Sequence, residues 1–263
     1  MSAETTFVGR ASLAGRVALV TGAGGHVGRR IVAVLTELGA QVAGVDCDGA
    51  SLGGASISGA PIVADLANAA GCTAAVEKTL AAFGRIDVLV NNAAFVGTSA
   101  LDGWAVPFER QGASAWDMAL DVNLSAAFHL AQAATPALRD GGHGSIINIA
   151  SIYGMVGPDW SLYDGTPLAN PAAYAASKGG LLQLTRWLAT TLSPEIRVNA
   201  VSPGGIARAG QPDAFVARYV ARTPLRRMAS EQDVGDAVAY LAGDLAAYVT
   251  GQNIAVDGGW TAW

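Results

Sequence analysis

The sequence predicts an α/β fold of the Rossmann type: one doubly wound parallel sheet of about seven strands, flanked by helices on both faces. Three observations carry that expectation. Short β-branched runs alternate along the chain with longer stretches of helical periodicity. Several strand candidates are almost wholly apolar, as in Ile146-Ile147-Asn148-Ile149, the pattern of strands covered by helices on both faces. A glycine cluster leaves the first strand candidate and opens the first helix candidate, as in a dinucleotide-binding crossover.

Taken in order, residues 17–21 form the first strand, and residues 27–38 the helix after it, stopped by Gly39 at the expected C-terminal position. Further strands are expected at 41–46, 61–64, 88–91, 145–150, 197–201 and 253–256. Helices are expected near 69–83, 114–139, 172–192 and 231–242, the last opened by a capping box in which Asp233 answers Ser230. No internal repeat or low-complexity linker interrupts this order. Residues 1–263 therefore read as one dinucleotide-binding domain, since α/β units of roughly 200–250 residues are routine.

Composition narrows the function classes. The chain has 263 residues, 51% of them hydrophobic, and a formal charge of −5 with no basic block, which argues against a nucleic-acid partner. Cys47 and Cys72 are too few for a disulfide framework and lack metal-ligand spacing, so they read as small apolar residues and no metal is expected. No charged segment followed by an apolar run opens the chain, and no apolar stretch reaches the roughly 18 residues of a membrane span. A cytoplasmic setting with no membrane partner is expected.

The segment Thr21-Gly22-Ala23-Gly24-Gly25-His26-Val27-Gly28 carries the strongest local signal. Glycines let a backbone turn sharply and approach a pyrophosphate, while the helix N-terminus offers N–H donors and a favourable dipole. A triphosphate-binding loop fits poorly, because no Lys-Ser or Lys-Thr follows. Asp46 ends the second strand, eighteen positions after Gly28. A carboxylate there accepts from the adenosine ribose hydroxyls and repels a 2′-phosphate, and neither Gly25 nor Cys47 supplies a basic group. NAD, rather than NADP, is the expected cofactor; the alternative is that Asp46 merely shapes a turn.

Motifs then accumulate in a fixed order: Thr21–Gly28, Asp65-Leu66, Asn91-Asn92-Ala93-Ala94, Asn123, Ser151, Tyr174-Ala175-Ala176-Ser177-Lys178 and Pro203-Gly204-Gly205. From about residue 13 to 259 the chain resembles the classical short-chain dehydrogenase/reductase family. The resemblance implies an NAD-dependent oxidoreductase that interconverts a secondary alcohol and a ketone by hydride transfer. It implies Tyr174 as general acid/base, Ser151 as hydrogen-bond partner of the substrate oxygen, and Lys178 as holder of the nicotinamide ribose. Asn123 would hold a water that continues the proton path. Tyr174 and Lys178 are four apart on a predicted helix and share a face, and an ammonium beside a phenol favours the phenolate. Around the cofactor, the resemblance assigns Gly22, Gly24, Gly25, His26, Val27 and Gly28 to the phosphates and Asp65 with Leu66 to adenine. Asn91 steadies the sheet and the cofactor pocket, Asn92 and Ala93 belong to the cofactor contacts, and Pro203, Gly204, Gly205 and Ile206 to the turn beside the nicotinamide. For Asp65 and Asn91 a loop cap is the alternative.

Three features depart from the family pattern. His26 stands where the second loop glycine is usual, so its imidazole either crowds the pyrophosphate or reaches out to it. The interval from Ser151 to Tyr174 is longer than usual, and residues 153–171 are rich in Gly, Pro, Tyr and Trp. Trp160 and Tyr163 there either stack on a sugar or ring or pack the loop down. The pieces Pro158-Asp159 and Tyr163-Asp164-Gly165-Thr166 are similar to those of members tied to nucleotide-sugar and sialic-acid-like glycan synthesis, a lead to a sugar-type substrate. Arg208 replaces a threonine and faces an anionic substrate, a phosphate or solvent.

Two other functions compete: a 3-oxoacyl-carrier-protein reductase, disfavoured by Asp46 because those relatives usually take NADPH, and a non-catalytic NAD(H) sensor, disfavoured by the intact Ser151, Tyr174 and Lys178. Family likeness implies a homotetramer or homodimer built on the helices carrying Asn123 and Tyr174. The aromatic segment from Gly258 to Trp263 is expected to pack on a second subunit or a pocket wall.

Overall fold

The apolar runs assemble side by side into one sheet. The computed structural model describes residues 6–53, 59–97 and 99–263. The strands are β1 (Val17–Thr21), β2 (Gln41–Asp46), β3 (Pro61–Val63), β4 (Val88–Asn91), β5 (Gly144–Ile149), β6 (Ile196–Pro203) and β7 (Asn253–Val256). They lie in the order β3-β2-β1-β4-β5-β6-β7, with every neighbouring pair parallel. The chain moves outward from β1 through β2 to β3, then returns to lay β4 on the other side of β1. That reversal opens a crevice at the carboxyl ends of β1 and β4, where ligands bind in open α/β sheets.

The helices are α1 (Phe7–Ala11), α2 (His26–Glu37), α3 (Gly49–Leu52), α4 (Ala69–Phe83), α5 (Ala113–Leu120), α6 (Ala126–Asp140), α7 (Ala172–Leu192), α8 (Asp213–Arg222) and α9 (Glu231–Ala242). Strand alternation distributes the core between two layers. Leu19, Leu89 and Ile146 face α4, α6 and α7, meeting Val76, Leu130, Leu138 and Leu188. Val20, Val90 and Ile147 face the opposite way onto Ile31 and Leu35 of α2 and Val234 and Val238 of α9. Each such side chain, fully buried, contributes about 1.5–3 kcal/mol. A sheet covered on both faces explains why its strands read as unbroken apolar runs.

Several boundaries differ from expectation. The helix expected over 114–139 is two helices joined by a π turn at Asp121–Ser125. One extra residue per turn widens the ladder there, and Asn123 within it is bound to a neighbouring loop rather than to its own helix face. Helix α8 was not expected; its fully buried face is only Phe215 and Tyr219, one turn apart, and only Pro212 marks its start. Helices α1 and α3, also unexpected, are too short to carry a periodic signal. Helix α2 begins at His26 because Gly25 is its N-cap. The Ser230–Asp233 capping box of α9 is present with both arms made.

Candidate active site

At the carboxyl edge of the sheet lies a cavity of about 950 Å³. Its first end is built by the glycine loop. Gly22 has φ +62°, and a Cβ on it would fall 2.9 Å from both Ala93 Cα and Asn92 Nδ2. A Cβ on Gly28 would fall 2.0 Å from the Gly22 carbonyl oxygen, so helix and loop approach only because both residues are glycine. Gly25 is the N-cap of α2 and makes no side-chain hydrogen bond, and the helix start at Gly25 to Gly28 lines the cavity. His26 and Val27 follow along the cavity wall, His26 with its side chain exposed at the mouth.

Asp46 sits opposite, its Oδ2 accepting from Gly24 N at 3.0 Å and its Oδ1 from Asp48 N at 3.3 Å. Gly24 itself does not line the cavity. It lets the loop close on β2, where a Cβ would strike Ser51 Oγ. Asp65 lines the cavity with Leu66 and also caps its own loop, accepting from Ala67 N at 3.0 Å. Asn92 and Ala93 are fastened to the glycine loop. Both backbone N–H groups donate to Thr21 Oγ1, and Asn92 Nδ2 donates to the carbonyls of Thr21 and Gly22. Asn91 Nδ2 donates to Asn148 Oδ1 at 2.8 Å, and Asn148 to Thr185 Oγ1 at 2.8 Å, tying β4 to β5 and α7.

The other end of the cavity gathers Ser151, Tyr174, Lys178 and the turn of Pro203, Gly204, Gly205 and Ile206. Ser151 follows β5 and accepts from Tyr153 N at 3.2 Å. Tyr174 lies in the first turn of α7, and the Ser151 hydroxyl across the cavity end favours its phenolate. Lys178, one turn on, holds its Nζ 5.7 Å from the Tyr174 ring centre and donates to the Ile149 carbonyl at 2.7 Å. Burial pushes the Tyr174 phenol above its ordinary range, against the downward pull of the Ser151 hydrogen bond and the Arg208 charge. Burial likewise pushes the Lys178 ammonium down to about 8. Lys178 stands over the ring face, turned to a carbonyl, while the groups acting on the hydroxyl are Ser151 and Arg208.

Asn123 stands behind the cavity rather than in its wall. Its Oδ1 accepts from Phe95 N at 2.7 Å, and its Nδ2 donates to Phe95 O and Ser177 Oγ, each at 3.1 Å. The side-chain donors are thus all engaged.

Residues 153–171 pack down over the cavity. Trp160 and Tyr163 lie against each other, Tyr163 against Phe215, and the Tyr153 and Tyr163 hydroxyls are 2.7 Å apart. Arg218 donates to the Asp164 carbonyl at 2.6 Å, and Arg222 pairs with Asp159 while covering the Trp260 ring. Trp260 in turn stacks on Tyr219, which lines the cavity, whereas Trp263 is exposed. Part of the aromatic C-terminal segment therefore supports a pocket wall.

Asn170 also lines the cavity and was missed in the sequence. An asparagine beside Pro171 at a helix start reads as a cap. Yet Pro171 is the N-cap, Gln111 Oε1 receives the Ala172 N–H at 3.0 Å, and the Asn170 amide caps nothing.

Residues 22–261 match the short-chain dehydrogenase family model described as enoyl-(acyl carrier protein) reductase. The chain belongs to the classical short-chain dehydrogenase/reductase family. This short-chain dehydrogenase/reductase is 34% identical over 261 residues to cis-4-hydroxycyclohexanecarboxylate dehydrogenase of Sinomonas cyclohexanicum, covering 95% of this chain and 98% of the relative. It is 34% identical over 257 residues to a 3-oxoacyl-acyl-carrier-protein reductase of Escherichia coli, covering 93% and 97%. A solved structure from Beutenbergia cavernae, titled a putative NAD(P)-dependent gluconate 5-dehydrogenase with bound NADP, superposes with a TM-score of 0.83 at 36% identity, covering 97% and 100%. The family is one of oxidoreductases with nicotinamide cofactors. Among the described residues no helix is long and apolar enough to cross a membrane, and no group of His, Cys, Asp and Glu has the arrangement of a metal site.

Proposed function

We propose that this short-chain dehydrogenase/reductase interconverts a small secondary alcohol and its ketone by hydride transfer, with NAD(H) as cofactor and Tyr174 as general acid/base. One observation carries the reading: Ser151, Tyr174 and Lys178 line one end of a cavity whose other end is a glycine cradle at the start of α2. The fit to a dinucleotide is steric as well as electrostatic. Side chains at Gly22 or Gly28 would close the cradle, and the α2 N-terminus supplies the donors a pyrophosphate needs.

Gly25, His26, Val27 and Gly28 would hold the phosphates, Asp46 the adenosine ribose, and Asp65 with Leu66 the adenine. Asn92, Ala93 and Pro203 to Ile206 would flank the nicotinamide, and Lys178 its ribose. Bound nicotinamide supplies the hydride acceptor or donor. Ser151 orients the substrate oxygen. Tyr174 takes the alcohol proton during oxidation and returns it during reduction. Asn123, held behind the cavity by Phe95 and Ser177, would continue the proton path through a water.

Asp46 supports NAD(H) over NADP(H), because a carboxylate already held by Gly24 N would meet the 2′-phosphate as a like charge. A 3-oxoacyl-carrier-protein reductase is the second reading, favoured by the Escherichia coli relative. Helices α6 and α7 each leave a large apolar residue in solvent, Phe128 and Trp187, which supports self-association as a homodimer or homotetramer. A reducing cytoplasm suits the exposed thiol of Cys47. The test is a turnover panel of alcohols, sugars and acyl thioesters with NAD(H) and NADP(H) side by side. Hydride transfer that survives Tyr174→Phe would remove the mechanism.

A further inference from the structure

The two halves of the cavity differ in charge. Its acidic lining residues, Asp46 and Asp65, both belong to the adenosine end. Around Tyr174 the charged lining groups are Lys178 and Arg208, and Lys178 is turned onto the Ile149 carbonyl. Arg208 is half-buried. Its backbone is clamped by Gln211, whose Oε1 accepts the Arg208 N–H at 2.9 Å and whose Nε2 donates to the Ile206 carbonyl. Among the described residues its guanidinium has no ion-pair or hydrogen-bond partner, and its charge is felt at the Tyr174 phenol. The clamp fixes the backbone that carries this unpaired guanidinium.

Asn170 supplies an independent sign. It is 6% exposed, it lines the same cavity, and neither its Nδ2 nor its Oδ1 has a partner. A buried amide left unpaired is costly, and such groups in native proteins await a water or a ligand. Arg208 offers a planar fork of donors and Asn170 two more, the complement of a carboxylate. One unpaired guanidinium balances one negative charge, which fits a carboxylate better than a phosphate monoester carrying about −1.5 to −2.

We propose that the alcohol or ketone substrate carries a carboxylate, and that Arg208 with the Asn170 amide binds it. This rests on the hydride-transfer reading above and adds the substrate class. The cavity would then set the distance between the acid group and the carbinol, while the fork fixes which end of the molecule enters first.

The experiment compares 3-hydroxybutyrate, 4-hydroxycyclohexanecarboxylate and gluconate, each beside its primary amide, with wild type, Arg208→Gln and Asn170→Ala. NADH affinity is followed by fluorescence for every protein. Wild type is expected to favour at least one acid over its amide by roughly 100-fold in kcat/KM, because charge recognition lost to a neutral isostere is severe. Arg208→Gln is expected to bring that ratio within about 3-fold of unity, and Asn170→Ala to cut it about 10-fold, with NADH affinity held. Equal use of acid and amide by wild type, or a loss of NADH affinity in Arg208→Gln, overturns the proposal and leaves hydride transfer standing. Silence toward every compound despite NADH binding overturns the hydride-transfer reading, and this inference with it.

Discussion

The Lys178 ammonium stands 5.7 Å from the centre of the Tyr174 ring, with its proton donated to the Ile149 carbonyl. The pair shares one face of α7, so a single helical turn fixes both the proton carrier and the charge beneath it. Tyr174→Phe keeps the ring, its packing and Lys178, and deletes only the hydroxyl. Turnover is expected to fall by at least roughly 10²–10⁴-fold, the usual share of a general acid/base. NADH affinity, measured by fluorescence titration, is expected to stay within a few-fold.

Arg208 and Ser151 are the groups that pull the buried phenol back toward its ordinary range. Alcohol oxidation needs the deprotonated phenol, so kcat/KM rises with pH through its titration. Removing a positive charge disfavours the phenolate and raises that titration point. Arg208→Gln is therefore expected to move the rising limb to higher pH, with Arg208→Lys restoring part of the shift. Profiles that coincide would mean that the guanidinium points elsewhere once cofactor is bound.

How much of this was legible in the sequence depended on whether a signal was local. Thr21 to Gly28 and Tyr174 to Lys178 each put their chemistry within a few residues, and the sheet could be read because each buried strand is apolar by itself. The π turn at Asp121–Ser125 depends on Phe95, twenty-eight residues away from Asn123, and no helical periodicity encodes that contact. Asn170 carries no such local signal, since an Asn-Pro pair before a helix is an ordinary cap pattern. Only the distant Gln111, taking the cap role, leaves the amide unpaired. Helix α8 was hidden for a similar reason: its buried face meets residues 153–171 and Trp260, not the main core.

Asp46 tests cofactor choice. Its Oδ2 receives Gly24 N at 3.0 Å, which fixes the carboxylate at the end of β2 where a ribose would lie. Asp46→Ala removes an acceptor for ribose hydroxyls and a like charge facing a 2′-phosphate. NADH is expected to bind more weakly and NADPH relatively better. A titration in which the ratio of the two affinities does not move would count against the ribose contact.

The capping box of α9 gives a stability prediction with a defined sign. Asp233 accepts from Ser230 N at 2.7 Å and pairs with Arg227, which holds its carboxyl well below the usual carboxylate range. A carboxyl lowered in the folded state contributes stability fully above its unfolded pKa and loses it as pH falls through the folded one. Asp233→Ala is expected to cost about 1 kcal/mol at neutral pH, the usual size of a lost cap. The gap between variant and wild type in urea melts should shrink on acidification.

Residues 153–171 are held by α8 as much as by their own chain. Arg218 grips the Asp164 carbonyl, and Arg222 joins Asp159 to the face of Trp260. Asp159 is kept in its charged form by the hydroxyl of Ser161, which donates at 2.7 Å, and by Arg222 beside it. These contacts lie outside the Ser151–Tyr174 centre, but they press Tyr153 and Tyr163 into the cavity wall. Arg222→Ala removes the ion pair and uncovers Trp260 while leaving the reacting groups in place. KM for the alcohol is expected to rise several-fold more than kcat falls, because the wall that bounds the substrate loosens while the proton carrier does not. Hydrogen exchange should quicken across 158–165 and stay unchanged in the strand leading to Ser151. Equal losses in kcat and kcat/KM, with exchange unaltered, would show that the clamp does not shape the cavity.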